Sequence, residues 1–213
     1  MLLAIDTSAG TSVAVVDRDR GVIVELTEAD TRSHAEVIGV LIDRCLRESG
    51  VSIRALSGVA VGMGPGPFTG LRVGIAAAKA FAFGAGKPLV RVVSHDAVAF
   101  ELASQSARSA PPLLVVTDAR RKEVYWSTYS GVDAEGLPVR VGQPGLCSPN
   151  ELAATVEGYA GYTRVDAVQV SAASAGLLAE KMFLHHRPFA GAEPLYLRAP
   201  DATVSAGPKR VSS

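Results

Sequence analysis

The chain opens on two short apolar runs, LLAID (2–6) and TSVAVVD (11–17), separated by small and polar residues. Runs of this length and composition predict buried strands. Asp19, Arg20 and Gly21 predict a polar turn into a third strand, VIVEL. The period then changes. Ser33 and Glu36 have the spacing of a capping box, and behind them Val37, Ile38, Val40, Leu41, Ile42, Cys45 and Leu46 recur as on a helix that Gly50 stops. Val37 and Val40 widen the apolar stripe beyond the face made by Ile38, Leu41, Ile42, Cys45 and Leu46. GVAVG (58–62) predicts a further buried strand, and TGLRVGIAAAKAFAFGAG a helix capped by Thr69 and stopped at Gly84 or Gly86.

PLVRVVS predicts a strand and the stretch from Asp96 to Ser104 a helix. SQSARSAPP breaks every periodicity and reads as a linker. Beyond it, LLVVTDARRKEVYWSTYSG predicts two strands joined by a basic turn, an echo of the first strand pair. The echo predicts two related halves, 1–104 and 105–190. Helices are expected near Pro149–Val156 and Ala173–His186, and the segment 191–213, rich in small and polar residues, reads as loosely held.

Composition narrows the class. In 213 residues, 48% are hydrophobic and 20% charged, as in a folded globule. Twenty-one basic residues balance twenty-one acidic ones, so nothing draws the chain generally to nucleic acid or anionic lipid. Any RNA contact must be local or supplied by a partner. Cys45 and Cys147 match no metal or redox spacing and read as buried thiols in a reducing compartment. MLLAIDTS lacks the basic start and long apolar core of a signal peptide, and no run reaches the roughly 20 apolar residues of a span. The cytoplasm is expected.

The stretch VGMGPGPFTGLRVG (61–74) is dense in glycine and proline but fits no phosphate template. It lacks the lysine of a Walker loop, and neither glycine pair completes GxGxxG. The stronger reading is a loop that steers a strand tightly into a helix; an anion on the amides near Thr69 and Gly70 is the weaker one. Gly70, Gly74, Ala78 and Ala82 recur at four-residue spacing beside Phe81, which marks a groove for close packing. Whether that groove meets a partner or the chain's own core stays open. Asp6, with Thr7, Ser8, Gly10, Thr11 and Ser12, suits a phosphate hairpin or an ordinary turn, and Asp118 ends the corresponding strand without the following glycine. His34, His95, His185 and His186 make no metal pattern, and no GxSxG elbow or paired cysteine nucleophile occurs. Tyr125, Trp126 and Tyr129 beside Arg120 and Arg121 fit a sheet core better than an RNA-stacking face.

Four stretches together resemble the TsaB (YeaZ) family: AIDTS (4–8), GMGPGPFTGLRVG (62–74), DARRKEVY (118–125) and PLYLRAPDA (194–202). They span the chain in the family's order. One departure is Pro67, where the family usually has serine. The resemblance implies a two-domain actin-like, Hsp70-like (ASKHA) α/β fold with mixed sheets flanked by helices. It implies a noncatalytic paralogue of TsaD, the subunit that transfers threonylcarbamoyl to the adenosine beside the anticodon of certain tRNAs. The expected partners are TsaD in a heterodimer, TsaE in a larger complex and a second copy when TsaD is missing, with tRNA reached indirectly and no membrane. No catalytic residue, metal or intrinsic cofactor is expected, ATP entering only with the assembled complex. Asp6, Thr7, Ser8 and Thr11 would then be a vestigial phosphate loop. Catalytic relatives hold a metal through an HxxxH pair after the strand matching PLVRVV; Ser94 and Val98 stand there, with His95 displaced by one. The partner interface is expected at Val37, Ile38, Leu41, Ile42, Cys45, Gly70, Gly74, Ala78 and Phe81. The alternatives are an actin-fold ATPase or phosphotransferase using Asp6 and Asp118, a peptidase, and a direct tRNA-binding module.

Overall fold

The structure, a computed structural model, describes residues 1–30, 34–105 and 111–198. Strands β1 (Leu2–Asp6), β2 (Thr11–Asp17) and β3 (Gly21–Glu28) form an antiparallel meander, as the alternating runs require. Helix α1 (His34–Ser49) returns the chain so that β4 (Gly58–Gly62) pairs parallel with β1. Helix α2 (Phe68–Ala85) does the same for β5 (Leu89–Val92) beside β4, giving the order β3-β2-β1-β4-β5. Helix α3 (Ser94–Gln105) leads into the second half: β6 (Leu113–Asp118), β7 (Val124–Val132), β8 (Pro138–Cys147), the single-turn α4 (Leu152–Thr155), β9 (Thr163–Asp166) and α5 (Ala172–Leu184). Its sheet runs β8-β7-β6-β9, the same order as the first four strands of the first sheet. The duplicated unit is the actin-like one.

Strand alternation sorts the side chains into layers. Leu3, Ile5, Val13, Val15, Val59 and Val61 face α1 and α2. Leu2, Ala4, Ala14, Val16 and Ala60 face the opposite way, against α3 and α5, which also receive Leu113, Val115 and Tyr129 of the second sheet. The alanines on that face let α5 settle deeply: a Cβ on Gly176 would lie 2.6 Å from Val16 and 3.0 Å from Ala4. Although it follows the second half in sequence, α5 therefore packs on β1, β2 and β4. Behind the second sheet, Leu114, Val116, Cys147, Leu152 and Val156 close a smaller core.

Three expectations are revised. Helix α2 begins at Phe68 with Pro67 at its cap, so Thr69 is not the cap; Gly86, at φ +63°, ends it. Strands β8 and β9 were not foreseen. The C-terminal segment is pinned through Arg198: Ala190 N donates to Arg91 O and Leu195 N to Met63 O, both at 2.9 Å, and Arg198 reaches Glu123 and, at 3.3 Å, Arg120 O. Ser33 of the capping box, the middle of the linker and 199–213 lie outside the described residues. Among the described residues, no helix is long and apolar enough to cross a membrane.

Candidate functional site

Asp6 ends β1, fully buried, where an actin-like hairpin would meet phosphate. Its Oδ1 accepts from Ser8 N at 2.8 Å and Ser8 Oγ at 2.6 Å, and its Oδ2 from Ser94 Oγ at 2.6 Å. Burial pushes the carboxyl pKa up, and these hydrogen bonds pull it back. Gly62 must be glycine, because a Cβ there would sit 1.8 Å from Asp6 Oδ2. The neighbouring hydroxyls are equally committed: Thr7 Oγ1 donates to Gly70 O at 2.7 Å, and Thr11 Oγ1 shares a hydrogen bond with His34 Nδ1 at 2.6 Å. Gly66 lies on the hairpin so tightly that a Cβ would come within 2.8 Å of Ser8 Cα. A phosphate needs accessible amides and hydroxyls. The side chains of Asp6, Thr7, Ser8 and Thr11 are buried and hydrogen-bonded within the chain, so these four are not free to hold one. Asp118 lies apart on an exposed turn, accepting from Arg120 N at 2.9 Å and pairing with its guanidinium at 3.5 Å. Asp118 lines the same cleft as Ser8, whereas Asp6 is buried beneath Ser8 and does not line it.

The glycine groove of α2 faces the same hairpin. A Cβ on Gly74 would lie 2.1 Å from Thr7 Oγ1, and one on Gly70 2.6 Å from Thr7 O. The small residues thus serve close approach within the chain. Ile38, Leu41, Cys45 and Ala78 join the core beneath α1 and α2. The expected interface is corrected at Ile38, Leu41, Cys45, Gly70, Gly74 and Ala78. Both helices lie on one sheet, and their most regular apolar stripes point down onto it. Val37, Ile42 and Phe81 remain half-buried, while Ala76 and Ala80 are exposed along with Val40 (57% exposed) and Phe83 (91% exposed). Burial also pushes the Cys45 thiol up to about 11, which leaves it a poor nucleophile at neutral pH.

The model for the family described as "TsaD: tRNA N6-adenosine threonylcarbamoyltransferase" matches residues 9–143. An uncharacterised Mycobacterium tuberculosis protein is 35% identical over 204 residues, 94% of this chain and 93% of its own. The Haemophilus influenzae "tRNA threonylcarbamoyladenosine biosynthesis protein TsaB" is 38% identical over 130 residues, 59% of this chain and 52% of its own. The solved structure of YeaZ from Pseudomonas aeruginosa superposes with a TM-score of 0.71 at 26% identity, covering 87% of this chain and 92% of that one. The chain belongs to the TsaB/YeaZ family.

Against the TsaB/YeaZ pattern, Pro67 replaces a side-chain cap with a fixed φ of −58°, and its carbonyl still accepts from Leu71 N at 3.0 Å. At the positions matched to the metal pair of catalytic relatives, Ser94 Oγ is held by Asp6 and Val98 is buried in the core. Those side chains do not fit a metal. His95 is sealed between Ser127 Oγ (2.8 Å) and Thr117 Oγ1 (2.9 Å), and burial, assisted by Arg140, pushes its pKa down to about 3. Tyr125 and Tyr129 lie in the sheet core, Tyr129 donating to Asp96 at 2.7 Å, while Trp126 is half-buried.

Between the halves a cleft of about 270 Å³ is lined by Ser8, Ala9, Ala29, Pro67, Asp118, Arg120 and Val168. At its rim the Arg72 guanidinium stacks 3.8 Å over the Phe68 ring, which meets Tyr196 at 4.8 Å. Sequence reasoning missed this stack. The two motifs that form it, PFTGLR and PLYLR, were each noticed, but no periodicity connects residues so far apart.

Proposed function

We propose that the chain is a noncatalytic subunit in the threonylcarbamoylation of the tRNA adenosine beside the anticodon. It pairs with a TsaD-type paralogue through the outward side of α1 and α2, and with a second copy when that paralogue is missing. A TsaE-type protein joins the larger assembly in the cytoplasm, and any ATP is held by the complex. The observation that carries this reading is the hairpin: the side chains of Asp6, Thr7, Ser8 and Thr11, which an actin-like enzyme would turn toward phosphate, are hydrogen-bonded within the chain. The apolar side chains left on the outer surface of α1 and α2, Val40, Ala76, Ala80 and Phe83, supply what a partner would cover.

Co-expression with the catalytic paralogue tests it. A stoichiometric complex is expected, with modification absent when either chain is omitted. Ala80→Arg should disrupt the complex at least tenfold while changing monomer stability by no more than about 0.5 kcal/mol, as is usual for exposed positions. Modification by the isolated chain, or a complex indifferent to every charged substitution on these helices, sinks the reading.

A further inference from the structure

The turn joining β6 to β7 places Arg120, Arg121 and Lys122 consecutively at φ 63°, 53° and 62°. For residues with a Cβ, each left-handed position costs on the order of 1 kcal/mol, so a run of three must be held by its surroundings. Ala119 N donates to Glu123 O at 2.9 Å and Glu123 N to Arg120 O at 3.0 Å. The C-terminal segment adds a clamp, Arg198 donating to the same Arg120 O and pairing with Glu123. The result is a fixed finger with three exposed cationic side chains.

The finger does not stand alone. Two residues before Arg198, Tyr196 meets Phe68, over which Arg72 stacks; Pro67, beside Phe68, lines the interdomain cleft with Arg120. The C-terminal segment thus bridges the two groups, touching Phe68 through Tyr196 and the finger through Arg198. Asp118 and Glu123 answer Arg120 and Arg198, while Arg72 and Lys122 make no ion pair among the described residues.

We propose that this rim binds looped or single-stranded RNA directly: the finger holds phosphates, and the exposed plane of Arg72 with the Phe68 edge (41% exposed) offers a platform on which a base stacks. Charge alone would suit any polyanion. The flat guanidinium–aromatic stack beside it is what favours RNA over an acidic peptide. In a chain with no net charge, attraction for a polyanion has to come from a local cluster such as this one. The inference rests on the proposed function for its choice of RNA, and gives this subunit its own contact with the substrate.

The test is fluorescence anisotropy of a labelled, unmodified tRNA transcript titrated with the full chain at 50 and 200 mM salt, without a partner. Salt-dependent binding is expected. Replacing Arg120, Arg121 and Lys122 together with Gln should weaken it at least tenfold and reduce the log–log salt slope by about 2 to 3. Arg72→Gln and Phe68→Leu should each weaken it several-fold, and Phe68→Leu should leave the slope unchanged. Circular dichroism confirms that each variant folds, and Arg72→Gln stands in should the triple variant not fold. No binding at 50 mM salt, wild-type affinity in the variants, or equal competition by polyglutamate, the mark of an acidic protein partner, each overturns the proposal. Size exclusion with the paralogue separates the two readings: RNA-deficient variants that still pair leave the proposed function standing, and RNA binding that survives loss of pairing leaves this one standing.

Discussion

Ser94 Oγ donates to Asp6 Oδ2 at 2.6 Å and accepts from Gly64 N at 3.0 Å. One buried hydroxyl thus joins the end of β1, the glycine–proline loop and the first residue of α3. Ser94, expected from the resemblance at a metal-ligand position of catalytic relatives, is here a clasp for the carboxylate.

Ser94→Ala should therefore leave a buried carboxylate one donor short and a buried amide without its acceptor. The expected loss is about 2 kcal/mol, at the level typical of unsatisfied buried polar groups. A urea titration measures it, and an unchanged midpoint would show that Asp6 does not depend on this bond.

Gly74→Ala should destabilise the monomer, because the added carbon meets Thr7 Oγ1 at 2.1 Å. Overpacking of this kind costs about 1 to 3 kcal/mol. Removing the hydroxyl and methyl in Thr7→Ala relieves the contact, so the double variant should recover part of the loss as a favourable coupling of roughly 1 kcal/mol. Additive costs would mean that α2 shifts away instead.

The pH dependence of stability carries a signature of His95. Above about pH 6.5 the ring is neutral in both folded and unfolded chains and contributes no slope. As pH falls further, the unfolded chain binds a proton that the folded one refuses down to about 3, so stability declines with falling pH. At pH 5 the deficit is about 2 kcal/mol. Asp6 and Asp96, whose pKa values burial raises, act in the opposite sense as pH falls, the folded chain taking their protons first. The measurement is thus a comparison: the stability advantage of wild type over His95→Gln should shrink by about 2 kcal/mol between pH 7.5 and pH 5. A constant difference would place the His95 proton elsewhere.

Much of the architecture was legible because local pattern and tertiary need agree. LLAID and TSVAVVD alternate between two buried faces, and both faces are used. Strand β8 was hidden: Gly142 and Pro144 interrupt it, and its long solvent-facing stretch gives no two-residue period. Strand β9 is four residues of mostly exposed edge. The stripe at Gly70 and Gly74 announced that something approaches closely, yet a stripe does not say what, and Thr7 proved to be the answer. On α1 the regular positions Leu41 and Cys45 went inward, and the irregular Val40 stayed outside. The segment at Leu195 was unreadable for another reason: its hydrogen-bond partner is Met63, and loose composition does not reveal so distant an anchor.

The seat of Gly176 on Val16 and Ala4 limits how the molecule can move. A helix contributed by one lobe is mortised into the sheet of the other, so jaw-like closure about a hinge would have to tear open a dry, close-fitted joint. Relative motion of the two halves therefore has to begin by unpacking α5 from β1 and β2.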